Sequence, residues 1–400
     1  MAHAAAPSPT RPGRAGATAR PRLAGVDAAR GIALLGMIAA HALLVTDDSG
    51  APNGTYLVVG GRAAALFAVL AGVAIAFMTG RRRAATAPDR RAAAAVLGVR
   101  AAALLLVGLV LGWTDSDVAA VILPFYALLF LIAIPLVRLP SRWLAGTALA
   151  VAVVVPVLSQ AVRPLLPEPS GENPSFGMLV SDPGGLLTEL LLTGVYPALP
   201  WTAYLAAGIA IGRLPMDRSR TATRLLGGGA ALAAGATAVS ALLLGPLGGL
   251  ARIAAVTPVG DRDAPGILDH VIISPSGTTP TTTWWWLTAA APHSSTPLDL
   301  LATIGSSAAV LGAMLLVCRS AAVTRLLTPL AGAGAMTLTL YTASIVFMNT
   351  IDDFDPVPGF ALQVVVALIA GLVWRAAGWR GPLEAVLSGV ARGARERARG

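Results

Sequence analysis

The chain contains no lysine: all 29 of its basic residues are arginine. It has one cysteine, Cys318, four histidines among 400 residues, and only 12% charged residues. A single cysteine excludes an intramolecular disulfide, and no spacing of cysteine and histidine resembles a zinc site, so no metal is expected. No Walker loop, dinucleotide fingerprint or GxSxG elbow occurs, and Gly332 to Gly334 is too short a pattern to signify phosphate binding. No internal repeat appears. The Ala and Gly tract at 227 to 236 reads as low-complexity helix.

Apolar residues fill the place of these motifs. At 56% hydrophobic, with a mean hydropathy of +0.73, the chain is too apolar for 400 soluble residues and requires repeated membrane spans. A net charge of +9 would suggest nucleic acid in a soluble protein. Here the topology accounts for it, and no nucleic-acid partner is expected.

Residues 25 to 44 form the first apolar run. Others follow at 59 to 79, 93 to 113, 118 to 138, 143 to 163, 187 to 213, 223 to 247, 298 to 318, 326 to 348 and 358 to 378. Each is near the roughly 20 residues that a bilayer requires. The expected fold is all-α, a polytopic bundle of about ten transmembrane helices with both termini cytoplasmic. Arginine supports this count, because 24 of the 29 fall on the side that holds the N-terminus, while most of the loop acids fall on the other. Pro197 and Pro200 would kink or split the sixth run. Residues 1 to 23 read as a disordered basic cytoplasmic tail, 24 to 380 as the membrane domain, and 381 to 400 as a second basic tail. Long outer loops occupy 164 to 186 and 248 to 297. The first helix is read as retained, and the chain as a multi-pass protein of the plasma membrane.

The first run, GVDAARGIALLGMIAAHALL, carries three polar groups. On a helix the 11-residue step from Arg30 to His41 comes within about 20° of whole turns, so both side chains share a face roughly 16 Å long. Asp27 can pair with Arg30 as an i, i+3 neighbour. Ionisable groups inside a span usually face a bundle interior or a wet cavity, and they are functional hypotheses by default.

Arg, ten residues and His within a G-V-D-A-A-R-G-I-A frame resembles the integral-membrane acyltransferase superfamily. That superfamily includes the bacterial O-antigen and peptidoglycan acetylases, the heparan-α-glucosaminide N-acetyltransferase group and the YeiB-like membrane proteins. Later stretches look like YeiB-like landmarks in the same order: Arg100 to Tyr126, Tyr196 to Gly212, MTLTLY at 336 to 341, and GPLE at 381 to 384. The resemblance covers most of the chain. It implies transfer of an acyl group, acetyl, from cytoplasmic acyl-CoA to a hydroxyl or amine of a glycan or lipid-linked acceptor outside the membrane. The heparan-α-glucosaminide group places its reactive histidine in the first outer loop, and residues 47 to 58 here contain none. His41 is therefore expected to take that role, with His293 or His270 of the later loop in reserve.

The residue chemistry suits this reading. Arg30, helped by Arg100 or the Arg81 to Arg83 cluster, could hold donor phosphates with a planar, permanently charged fork. His41 could accept the acceptor's proton near neutral pH, or form an acyl-histidine, and the sequence does not choose between the two. Arg62 either answers the outer acids or orients an acceptor. Thr337, Tyr341 and Ser344 share a helical face that suits substrate contact or helix-to-helix hydrogen bonding equally. Trp284 to Trp286 read as an interfacial belt, a sugar-stacking platform or a lid. Glu384 reads as structural. The rival function is a transporter or flippase of an amphipathic solute, although no second copy of the Arg30 and His41 pattern marks a repeated half. Whether two copies associate as a homodimer stays open.

Overall fold

The computed structural model describes residues 23–81, 83, 86–351 and 355–398. Residues 1–22 of the expected tail, Arg82, Asp352 and Asp353 lie outside the described residues.

Apolar runs without buried backbone partners must satisfy their own amides, and the chain does so with helices. We label the principal ones α1 (Ala24–Ala42), α2 (Arg62–Met78), α3 (Ala87–Val110), α4 (Leu123–Leu136), α5 (Ser141–Val162) and α6 (Ala198–Gly212). They are followed by α7 (Ser219–Leu244), α8 (Pro297–Val317), α9 (Thr328–Gly334), α10 (Thr337–Thr350), α11 (Pro356–Ala376) and α12 (Pro382–Arg397). Among the described residues, six helical stretches are long and apolar enough to cross a bilayer, and two bent pairs, each taken as one span, bring the number to eight. The remaining two of the ten expected runs are α1 and α4. Asp27, Arg30 and His41 lower the hydropathy of α1, and α4 is only 14 residues long. The chain is an all-α, multi-pass membrane protein.

Small residues set the packing distances. A Cβ on Gly72 of α2 would come within 2.8 Å of the Gly208 Cα on α6, and one on Gly229 of α7 within 2.5 Å of the Gly305 carbonyl oxygen on α8. Such close approach is how helices associate where lipid gives no hydrophobic drive. Gly334 ends α9 against the backbone of Asp27 and Gly31, so the AGAG tract seats α9 on α1 beside Arg30. α1 itself packs against α2, α8, α9, α10 and α11 and lies at the centre.

The run at 326 to 348 is not one helix. It divides into α9 and α10, which meet at 82° around Met336, whose backbone, at φ −131° and ψ 37°, leaves the helical region. The new N-terminus at α10 is stabilised from another helix. Glu384 of α12 accepts the N–H groups of Leu338 at 2.7 Å and Thr339 at 3.2 Å, and the Thr339 hydroxyl at 2.6 Å. A carboxylate there satisfies orphan amides and complements the helix dipole. The sixth run also bends, by 51°, between a π-helical turn over Glu189–Thr193 and α6, with Pro197 as the residue before α6. Most of the expected C-terminal tail is therefore a packed helix, since α12 lies against α3 and α10.

Candidate functional site

A cavity of about 920 Å³ runs alongside α1. Its two ends differ in chemistry. One end holds Arg30 from α1, Arg100 from α3, and Arg380, Glu384 and Ser388 from α12 and its approach. Asp27 lies one turn before Arg30 and places Oδ1 3.7 Å from its guanidinium. Arg100 buries its Nε without a hydrogen-bond partner among the described residues, an arrangement that leaves a strong donor in want of an acceptor. Three guanidinium groups around one mouth give it a strongly positive character.

The middle is apolar and aromatic. Phe67 and Phe77 of α2, Leu104 of α3 and Phe130 of α4 line it, with Tyr126 and Tyr341 beside them. The Tyr341 hydroxyl accepts the backbone N–H of Ile122 at 3.1 Å, which ties α10 to the start of α4. Thr337 lines the same wall. Ser344 does not, because it donates to Gln363 Oε1 on α11 at 2.6 Å; of that stripe, one member is helix glue and two face the cavity.

The far end carries two histidines. His41, in the last turn of α1, lines the cavity and buries its Nδ1 without a hydrogen-bond partner among the described residues. His293 arrives from the turn before α8 with a left-handed backbone, φ +54°, and Ser295 is left-handed too, at +49°. Asp299 accepts the Ser295 N–H at 3.1 Å, and Thr296 caps α8, so the turn is held from the helix it precedes. The His293 Nε2 accepts the N–H of Gly61 at 3.1 Å, and Tyr196 meets its ring edge-on at 5.8 Å. That bond commits one lone pair and puts the ring proton on Nδ1, which is buried and has no partner among the described residues. Burial pushes the His293 imidazole down to about 4, so it is neutral near pH 7. His293 therefore offers no free nitrogen to take a proton.

Residues 22–241 match the model of a membrane acetyltransferase family, heparan-alpha-glucosaminide N-acetyltransferase, catalytic. The match spans more than half of the 400 residues. The chain belongs to this family. No curated protein matches it. Within the heparan-α-glucosaminide N-acetyltransferase match lie Arg30, His41 and Arg100, whereas His293 and Arg380 come from later in the chain and meet them in space.

Other residues singled out in the sequence lie elsewhere. Arg62 does not line the cavity; its guanidinium donates to the Leu57 carbonyl and stands in electrostatic reach of Asp299. Arg81 and Arg83 bond the carbonyls of Leu214 and Arg138, closing helix ends rather than helping Arg30. His270 is buried against Trp286, and its Nδ1 accepts the Asp263 N–H at 3.0 Å, so it braces the outer segment. Trp286 is the centre of a small core with Leu244, Ile253 and Val271, Trp285 stacks under Arg252 at 4.6 Å, and Trp284 is exposed. None of the three lines the cavity. Arg380, Gly61 and Asp299 gave no sequence signal beyond their charge or size, apart from the position of Arg380 directly before the GPLE stretch.

Proposed function

We propose that this protein transfers an acetyl group from acyl-CoA, held at the arginine end of the cavity, to a hydroxyl or amine that enters at the histidine end. The single observation that carries the reading is that Arg30 and His41 line one cavity with an apolar middle. Its shape and chemistry suit a donor with phosphates at one end, a thin pantetheine arm and a thioester at the other. Arg30, Arg100 and Arg380 fit the phosphates, and the unpartnered Arg100 Nε fits the demand for an acceptor. The excess of arginine at this end supports a cytoplasmic donor and an acceptor that is an extracytoplasmic glycan or a lipid-linked sugar at the plasma membrane.

In the reaction, the acceptor heteroatom attacks the thioester carbonyl carbon and loses its proton to His41. The carbon–sulfur bond breaks, and the departing thiolate takes the proton back. An ester or amide and free CoA result. The test supplies labelled acetyl-CoA to one face of vesicles with the protein in known orientation and follows label on acceptors at the other. Transfer only when donor meets the arginine end supports the reading; solute passage without loss of acyl group from CoA overturns it in favour of a transporter.

A further inference from the structure

Helix α12 has two faces with different partners. Glu384, Leu387 and Ser388 line the arginine mouth of the cavity, and Leu387 and Ala391 are buried against the bundle. At about 100° per residue, Val386 lies roughly 200° from Glu384, on the opposite side. Val386 is 61% exposed and Val390, one turn on, 56%. Trp379, three residues before the helix, is also open, at 63%, with its ring edge-on to Trp374. No described element covers these three side chains, and they lie at the arginine end of the bundle rather than along a span.

Charge on the same helix says what does. Arg392, Arg395 and Arg397 occupy its last turns against one acid, Glu396, and Arg375 and Arg380 stand just before it. A helix with two exposed valines, an aromatic at its approach and a run of arginine is built to lie in the boundary between headgroups and acyl chains. Arginine adds electrostatic attraction to an anionic leaflet, which falls off within a Debye length. The basic residues would repel a second copy of the same face, which disfavours a dimer there.

We propose that α12 docks on an anionic lipid surface, seating Val386, Val390 and Trp379 in the headgroup boundary while its other face forms a wall of the arginine mouth. The partner is the lipid of the leaflet at that end, recognised through its negative headgroups. Because Glu384 also caps α10, docking fixes the bend between α9 and α10 as well as the mouth.

The proposal is tested without any assay of acyl transfer, so its failure is distinct from failure of the functional reading. In a Cys318→Ser background, Val390→Cys carries a nitroxide label, and the full chain is reconstituted in vesicles of neutral phosphatidylcholine or of phosphatidylcholine with phosphatidylglycerol. Power-saturation with a water-soluble nickel chelate and with oxygen reports whether the label is in water or lipid. The expected result is a several-fold drop in nickel accessibility with phosphatidylglycerol, lost when Arg392, Arg395 and Arg397 are changed to Gln. A label in water in both vesicles overturns the proposal, and so does a label equally buried with and without negative lipid. A second label at Val386→Cys guards against a local effect of one site, and is expected to move in parallel.

Discussion

Gly61 gives its backbone N–H to Nε2 of His293 at 3.1 Å, across 232 residues of sequence. The bond joins the start of α2 to the turn before α8 and decides what each histidine of the cavity can do. Its acceptor lone pair is spent, so His293 is a fixed neutral ring, and the proposed reaction gives proton transfer to His41. Gly61 is left-handed, at φ +65°, and a Cβ there would meet the His293 nitrogen at 3.0 Å and the Pro292 Cα at 3.2 Å.

Gly61→Ala is therefore expected to push the 292–293 turn away from α1. Strain of this kind costs about 1–3 kcal/mol, and a shift of about 1 Å at a reacting centre can cost on the order of 10²-fold in rate. Thermal unfolding in detergent and turnover should both fall. Gly98→Ala in α3 is the control, because nothing lies within 4 Å of its added Cβ. It should leave turnover unchanged and raise stability slightly, by about 0.5–1 kcal/mol.

Acid should loosen the same region. The folded pKa of His293, about 4, lies below the ordinary value of 6.5, so the unfolded chain binds the proton more readily. Stability from this group is complete above about pH 6.5 and is lost as pH falls toward 4, by up to about 3 kcal/mol. The melting temperature of the wild type should decline through that window. In His293→Asn, which tolerates the left-handed backbone and does not titrate there, the decline should be shallower. Equal slopes in the two proteins would show that His293 is not the buried group responsible.

Glu384 holds the break between α9 and α10. Glu384→Ala removes three acceptor contacts from the first turn of α10, at a cost of about 1–3 kcal/mol. Glu384→Gln keeps an acceptor oxygen and should lose less. Hydrogen exchange at Leu338 and Thr339 reads the change directly, with faster exchange in the alanine variant.

The arginines at the mouth should separate binding from chemistry. Arg380→Gln and Arg100→Gln are expected to raise KM for acetyl-CoA about tenfold or more and to change kcat little, the pattern of lost uniform binding. Arg83→Gln, whose guanidinium bonds the Arg138 carbonyl instead, should leave KM unaltered.

The helices and the polar stripe of α1 were legible because both are local: span length and the steps from Asp27 to Arg30 to His41 follow from rise and turn per residue. The structure places Asp27 against Arg30 and sets Arg30 and His41 on one cavity. What was not legible depends on distant chain. The 82° bend at Met336 lies within a run of unbroken hydropathy and is stabilised by Glu384, 46 residues from Leu338. His293 shares the cavity with His41 through a turn held by Gly61 and Asp299. Arg380 resembled any other basic residue of the arginine-rich face, and the Arg81 to Arg83 cluster looked equally fit for the mouth, whereas Arg81 and Arg83 close helix ends. The three tryptophans show the same limit. One dipeptide step separates a fully buried Trp286 from an exposed Trp284, and composition does not distinguish them.

The most direct test of the account compares wild type with His41→Ala for transfer of labelled acetyl from acetyl-CoA in vesicles, with binding of the donor measured in parallel. The account predicts that His41→Ala binds acetyl-CoA as the wild type does and transfers label about 10² times more slowly or worse. Transfer by His41→Ala at the wild-type rate would contradict it, and so would a wild type that leaves acetyl-CoA intact.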